Sequence, residues 1–319
     1  MKNILIKKHF LITCLALGLI LSIEFAECQT VSTPIVGFSK VTAPAGTIVV
    51  VPSFVKPNLY QGTSTLSGQV FSCSSFTAGQ LAPTTYTDGR PNYPTSYVEI
   101  VSGPYEGTVM DIQSNTTSSV TVTGAPTILN GQSVSIAIRR HITLDDLVVG
   151  ASGLQDYSDG ATVFNSDGSS SIRYFASGSW VADDYSTPAG QTVVYPGQGL
   201  TLSSAGASLI LNGNVKTTKT LVPLYAGVIN LVGPGNPSGN TNLENLNIAS
   251  ALDPYNDGIN SFSANGEMTI AETYFSDGSG ILDSSYSPIG SPAYVGVNSG
   301  FVVSVGSSKY WTVPSTLNQ

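Results

Sequence analysis

One segment of this sequence occurs twice. Residues 174–190 read "YFASGSWVADDYSTPAG" and residues 274–290 read "YFSDGSGILDSSYSPIG", which align without a gap. The similarity continues upstream, where "TLDDLVVGASGLQDYSDGATVF" begins at Thr143 and "NLENLNIASALDPYNDGINSF" begins at Asn242. A period of about 100 residues is too long for a solenoid and indicates a duplicated module of domain size.

Within each copy, local signals predict short strands and one helical turn. Thr143 is a good N-cap, with an acid three residues later and leucines spaced three apart. The runs "ATVF", "SIRYF" and "SW" are separated by turn residues and predict a meander. "SLILNGNVK" predicts a hairpin around Asn212-Gly213, because Asn-Gly is the strongest short hairpin signal.

The N-terminal third has a different β pattern. "TIVVVPSFV" is an apolar strand, while "SYVEIVSG", "TVMDIQS", "SSVTVTG" and "QSVSIAIR" alternate apolar and polar residues. Alternation with a period of two indicates antiparallel sheets with one buried face. We therefore predict an all-β chain of antiparallel β-sandwich modules: an N-terminal β-sandwich followed by two related β-modules with short helical turns. The expected bounds are 29–142, 143–236 and 237–319.

The first 28 residues are typical of a signal peptide. Lys2, Lys7 and Lys8 precede a largely apolar run that is too short to span a bilayer. Cleavage is expected between Cys28 and Gln29, which predicts a secreted protein, extracellular or at the cell surface, with the periplasm as an alternative. Acylation of Cys28 as a lipoprotein is the other interpretation. No membrane span is predicted in the mature chain, and its single thiol, Cys73, is interpreted as a small core residue.

The charge pattern argues against two kinds of partner. The formal net charge is −8, with 12 Lys and Arg against 20 Asp and Glu. Nucleic acid and anionic membranes both bind through Lys and Arg, so neither is expected as a partner.

Several blocks together resemble a family of secreted bacterial proteins of unknown function. They are "PIVGFSKVTAPAGTIVVVPSFVKPNLYQG", "YVEIVSGPYEGTVMDIQSNTTSSVTV", "RHITLDDL", "YPGQGL" and "NGNVKTT". The resemblance covers most of the mature chain and implies an exported β protein, but it supplies no catalytic residues. The second module departs from it, with "VGVNSGF" in place of "YPGQGL".

Catalytic chemistry has few candidates here. His141 is the one histidine of the mature chain, and no G-x-S-x-G motif precedes a helix. A glycoside hydrolase needs two carboxylates that flank the scissile bond. The candidates for such a pair are Glu99, Glu106, Asp111, Glu267 and Glu272.

Aspartates next to glycine offer two interpretations. Calcium prefers clustered oxygen ligands, whereas Asp-Gly and Asn-Gly are also the residues that tight turns require. No cofactor is predicted, with calcium kept as the alternative. The calcium candidates are Asp156, Asp159, Asp167, Asp253, Asp257, Asp277 and Asp283.

The aromatic residues suggest a binding surface. Tyrosine and tryptophan on a β scaffold either fill the core or form a platform on which sugars stack. The candidates for a platform are Tyr174, Trp180, Tyr185, Tyr274 and Tyr286. If Trp180 is buried, a platform that includes it fails.

The sequence therefore favours a non-enzymatic structural protein of the cell surface or extracellular space, one that assembles with itself or with other surface proteins. Residues 29–45 are expected to add to the sheet of a neighbouring molecule. The alternative is a carbohydrate-binding or adhesive protein with glycans as partners, and a secreted hydrolase comes third.

Overall fold

The computed structural model describes residues 34–73, 76–87, 90–237, 239–263 and 268–315. The predicted signal peptide lies outside them. Antiparallel strands dominate the described chain, and the all-β prediction is confirmed. Among these residues, no helix is long and apolar enough to cross a bilayer.

The first three strands pair with a distant part of the chain. They are β1 (Val36–Ala43), β2 (Gly46–Val50) and β3 (Phe54–Val55). β1 and β3 flank a later strand, Ala207–Val215, and β2 pairs with Leu200–Ser204. Residues 36–43 are thus a strand within their own molecule, paired along one edge. Addition of residues 29–45 to a neighbour's sheet stays a prediction, and residues 29–33 lie outside the described part of the chain.

The next six strands close into a barrel of residues 58–140, in the order β4-β5-β8-β7-β6-β9. They are β4 (Asn58–Ser67), β5 (Val70–Ser72), β6 (Ser96–Ile100), β7 (Val109–Asn115), β8 (Ser119–Val122) and β9 (Ser133–Arg140). The 3₁₀ turn Thr127–Leu129 precedes β9. Alternate residues such as Val98, Met110 and Ile138 fill the interior, as the period of two predicted. Closure pairs β4 with β9, so this part is a barrel rather than the predicted sandwich.

Residues 142–215 complete the sheets that the first three strands begin. Their strands are β10 (Ile142–Thr143), β11 (Gly160–Phe164), β12 (Ser170–Ala176), β13 (Ser179–Val181), β14 (Val193–Val194), β15 (Leu200–Ser204) and β16 (Ala207–Val215). Helix α1 (Leu144–Val148) begins with the predicted capping box between Thr143 and Asp146. The main sheet has the order β13-β12-β11-β15-β2, and β1-β16-β3 packs opposite it around a shared apolar core.

Residues 220–313 repeat this arrangement. Their strands are β17 (Thr220–Leu224), β18 (Asn230–Val232), β19 (Thr241–Asn242), β20 (Gly258–Phe262), β21 (Ile270–Ser276), β22 (Ile281–Leu282), β23 (Tyr294–Val295), β24 (Phe301–Ser304) and β25 (Lys309–Val313). Two 3₁₀ turns, Leu243–Leu246 and Ala249–Ala251, follow β19. The sheet order β22-β21-β20-β24-β18 matches the first sheet strand for strand.

The duplicated module is therefore interrupted in its first copy. We define module 1 as residues 36–55 with 142–215, and module 2 as residues 220–313. The barrel is inserted after the second and third strands of module 1, where module 2 has only the short link of residues 233–240. The expected boundary at 142/143 does not hold, because β1 and β2 belong with β15 and β16.

The predicted Asn212-Gly213 hairpin is wrong. β16 runs straight through it, with Gly213 paired opposite Gly37 of β1. Gly213 has φ +148°, and a Cβ there would lie 2.7 Å from the carbonyl oxygen of Val55. The glycine allows close approach of β3 rather than a turn.

Candidate functional site

Three aromatic side chains cluster at one end of the main sheet of module 1. Tyr174 on β12 stacks on Tyr185, with ring centroids 4.6 Å apart and planes 28° apart. Tyr157, in the turn before β11, lies 6.2 Å from Tyr185. Tyr157 and Tyr185 are 54% and 49% exposed, so about half of each residue is accessible to solvent. We call these residues trio 1.

The same cluster occurs in module 2. Phe275 on β21 lies 4.7 Å from Tyr286, and Tyr255 lies 6.0 Å from Tyr286. Tyr255 and Tyr286 are again about half exposed. We call these residues trio 2, and it reproduces trio 1 ring for ring.

Strand register defines this equivalence. Gly160 pairs with Tyr174, and the corresponding Gly258 pairs with Phe275. The gapless sequence alignment instead matches Tyr174 with Tyr274. That alignment is therefore one residue out of register with the structure. A β-bulge in the β20–β21 pair, between Ser261 and Phe262, accounts for the one-residue offset.

The exposed tyrosine of each turn has an unfavourable backbone conformation. Tyr157, Tyr185, Tyr255 and Tyr286 have φ between 57° and 60°. This left-handed region favours Gly, Asn and Asp, and costs a bulky residue roughly 1–2 kcal/mol. The turns themselves fix the conformation: the Tyr157 N–H donates to Phe175 O at 2.7 Å, and the Tyr255 N–H donates to Ser276 O at 2.8 Å.

Carboxylates stabilise the loop that carries Tyr185. Asp184 accepts hydrogen bonds from the N–H groups of Ser186 and Thr187 and from the Thr187 hydroxyl, at 2.5–2.9 Å. These bonds, the Thr187 hydroxyl first, lower the pKa of Asp184 to about 2. Asp283 accepts from Ser285 and Ser287 in module 2.

A further acid distinguishes the two trios. Asp183 is exposed next to Tyr185. A hydrogen bond to Tyr174 is the main cause that raises the pKa of Tyr185, and the charge of Asp183 adds to it. Ser284 stands at the matching place in module 2, so trio 1 is the more acidic of the two.

Two of the predicted platform residues belong to the core. Trp180 is 1% exposed, and its Nε1 donates to Leu144 O at 2.9 Å. Tyr274 is also buried and donates to Glu272, and burial is the main cause that raises its pKa to about 12. The platform predicted around Trp180 is therefore wrong, whereas Tyr174, Tyr185 and Tyr286 do lie in the trios. Tyr157 and Tyr255 were missed, although both repeats place a tyrosine before Asp-Gly, where a turn residue is expected.

Five of the seven calcium candidates, including Asp283 described above, accept hydrogen bonds within their own turns. Asp159 and Asp257 are buried at equivalent positions and accept backbone hydrogen bonds from Gln155 and Asp253 respectively. Asp167 and Asp277 accept the N–H and hydroxyl of Ser169 and Ser279.

The two remaining acids are also engaged. Asp156 accepts from the Ser177 N–H, and Asp253 pairs with Lys309 at 2.8 Å. Within the described ranges, no three Asp, Glu, His or Cys side chains form a group that could hold a metal ion.

Four of the hydrolase candidates lie where the barrel meets the modules: His141, Glu99, Glu106 and Asp111. His141 is buried between the rings of Tyr97 and Tyr195, with Nε2 3.1 Å from Asp111 Oδ1. Its Nδ1 has no hydrogen-bond partner among the described residues, so the pair is not completed to a triad there.

The acids do not converge as a hydrolase pair. Glu99 is fully buried, with ion pairs to Arg139 and, at 2.6 Å, to Lys216. Glu106 accepts from the Lys219 N–H, and Glu272 bonds with Tyr274 in module 2. Glu267 lies outside the described residues.

Fold and trios together define the class: an all-β chain of two paired sandwich-like modules, each with one exposed aromatic cluster, and with a barrel inserted into the first. No family model, curated protein or solved structure matches the chain. The family resemblance of its motifs therefore stays a prediction.

Proposed function

We propose that this protein is a non-enzymatic extracellular protein that binds carbohydrate through trios 1 and 2. The supporting observation is that a strained, exposed tyrosine pair is kept in both modules. Local stability favours glycine or asparagine at such positions, so the benefit of the rings lies in what they contact. Exposed ring faces rimmed by hydroxyls suit sugar rings, which have apolar faces and polar edges.

Charge narrows the class of glycan. Each trio has carboxylates in the loop beneath it, and Asp183 is an exposed acid next to Tyr185. These negative charges repel uronic acids and sulfated sugars. The expected ligands are neutral polysaccharides or polymers of amino sugars.

Retention on insoluble polysaccharide tests this proposal. The purified protein is mixed with cellulose or chitin particles and, as an anionic counter-probe, with crosslinked alginate. We expect retention on a neutral polymer and none on alginate. The variant Tyr185→Ala with Tyr286→Ala should lose retention at least tenfold, whereas the matched control Tyr310→Ala, 64% exposed but outside both trios, should keep it.

Two results would contradict carbohydrate binding: equal retention of the double variant and the wild type, or no retention on any of the polymers. A glycan array with the same variants extends the test to soluble oligosaccharides. Capture of proteins in place of glycans would assign the trios to protein recognition.

A self-assembling structural subunit is the second candidate. One edge of β1 pairs with β16, and no strand pairs with its other edge within the described ranges. Val36 and Phe38 on this strand are 68% and 77% exposed. Exposed apolar edge strands template pairing between molecules. Light scattering with and without calcium tests this candidate. It would be contradicted if the wild type is a monomer and Phe38→Lys leaves the particle size unchanged.

A further inference from the structure

The two modules contact each other through equivalent elements. The Val51 N–H, after β2, donates to Asn298 O at 2.8 Å. Reciprocally, the Gly233 N–H, after β18, donates to Gly197 O of module 1 at 3.1 Å. Because β2 corresponds to β18, and the loop before β15 to the loop before β24, the pairing is pseudo-two-fold.

An apolar cluster between the main sheets supports the same symmetry. Val49 and Val51 of module 1 pack with Leu231 of module 2, and Phe164 and Phe262 lie against them from equivalent strand ends. Gly300 of module 2 allows the close approach of module 1, since a Cβ there would lie 2.8 Å from Cγ2 of Val51. This packing joins the two modules in one compact unit.

Strand register shows how the two modules are oriented relative to each other. Thr47 of β2 pairs with Ser203, which pairs with Gly160, so Thr47 is level with the trio 1 end. The Thr47 carbonyl accepts the N–H of Met268, at the far tip of the β20–β21 hairpin. The tip of module 2 thus reaches the aromatic end of module 1.

The opposite hairpin does the same. Gly168, at the tip after β11, lies against Val228, which precedes β18 at the level of Gly258 and trio 2. The main strands of the two modules therefore run in opposite directions, and the trios lie at opposite ends of the pair. A five-residue strand spans roughly 16 Å, so the trios are about 16 Å or more apart along the strand direction.

From this arrangement we infer that the molecule bridges two separate polysaccharide chains, one at each trio. The inference rests on the proposed carbohydrate binding. Sites at opposite ends of one compact unit cannot both engage one short stretch of polymer, whereas they can hold two chains. The partner is thus a polymer network of neutral or amino sugars.

A sandwich capture assay tests the bridge. The polymer retained in the previous test is coated on a surface, protein is added at a concentration confirmed as monomeric by light scattering, and a fluorescent soluble fragment of the same polymer follows. We expect the wild type to capture the fragment. Tyr185→Ala alone and Tyr286→Ala alone should each still bind the surface yet capture at least tenfold less fragment per bound protein, while Tyr310→Ala captures as the wild type does.

Each outcome is decisive. Wild type that binds the surface without capturing the fragment overturns bridging and leaves the proposed function intact. Capture by either single variant at the wild-type level also overturns it, because one trio then suffices. Failure of the wild type to bind the surface overturns the proposed function and bridging together.

Discussion

At the scale of the residue, four tyrosines adopt a backbone conformation that is unfavourable for a bulky side chain. Tyr157, Tyr185, Tyr255 and Tyr286 all have left-handed φ, which the turn hydrogen bonds impose. Glycine would meet the same bonds without strain. Positions at which the residue type opposes local preference are often functional sites, and here the opposition is repeated in two modules.

Replacing these tyrosines by glycine should separate stability from binding. For Tyr185→Gly, relief of the left-handed strain offsets the lost stacking on Tyr174, so we expect the free energy of unfolding to stay within about 1 kcal/mol of wild type. Glycan retention should fall. Urea denaturation measures the free energy of unfolding, and pull-down on the polysaccharide measures retention. Tyr310→Gly, in extended β25, is the matched control and should be destabilised without losing retention. A large loss of stability in Tyr185→Gly would mean that the ring is structural.

A second residue-scale prediction concerns Asp257. Burial alone would raise its pKa, but hydrogen bonds from Asp253, Lys309 and Gly306 lower it overall. A carboxyl whose pKa is lower in the folded state stabilises the fold at every pH above its unfolded pKa, which is near 4. This stabilisation is lost as the pH falls through the folded pKa. The free energy of unfolding should therefore decrease below about pH 4, and Asp257→Asn should flatten this limb. An unchanged acid limb in the variant would refute the assignment.

At the scale of the element, local signals and pairing partners differ in how far sequence reveals them. The capping box at Thr143 and the β11–β13 meander were predicted, because each depends on neighbouring residues. The partners of β1 and β2 were not, since nothing in residues 36–50 specifies strands after residue 199. The register shift at Tyr274 was also hidden, because the β-bulge in the β20–β21 pair offsets the strand without changing its motif.

Gly213 gives the element-scale prediction. Gly213→Ala places a methyl group 2.7 Å from Val55 O in a backbone conformation that alanine rarely adopts. We expect a loss of about 2 kcal/mol or more in the free energy of unfolding, measured by urea denaturation. Gly239→Ala is the control, because nothing lies within 4 Å of its Cβ position and φ is ordinary. Equal stability of the two variants would count against the close approach of β3.

At the scale of the whole molecule, a buried ion cluster fixes the barrel to the chain between the modules. Glu99 of β6 pairs with Arg139 of β9 and with Lys216, which follows β16. The Thr218 hydroxyl donates to the same carboxylate at 2.7 Å. Candidate hydrolase residues such as Glu99 are thus part of a structural junction, which no sequence pattern indicates because its members are far apart in the chain.

Neutralising the centre of that cluster should be costly. Glu99→Gln removes the carboxylate that two buried cations share, and breaking such a pair typically costs 3–5 kcal/mol, so we expect a loss of about that size. Calorimetry should show a lower Tm, and the barrel should unfold before the modules. Glu106→Gln keeps an acceptor for the Lys219 N–H and should change little. A Glu99 variant as stable as wild type would show that the junction is held by other contacts.

The insertion of the barrel shows how this architecture tolerates change. The chain leaves module 1 after β3 and returns to it at β10. These two points are close together: Lys56, just before the barrel, and Asp146, just after it, form an ion pair at 2.6 Å. An inserted domain whose two ends lie close together does not displace the strands of the domain that contains it. In module 2 the matching place lies between β18 and β19, and Asn240, just before β19, is exposed there. A fluorescent reporter or an enzyme grafted at Asn240 should therefore leave both aromatic ends exposed.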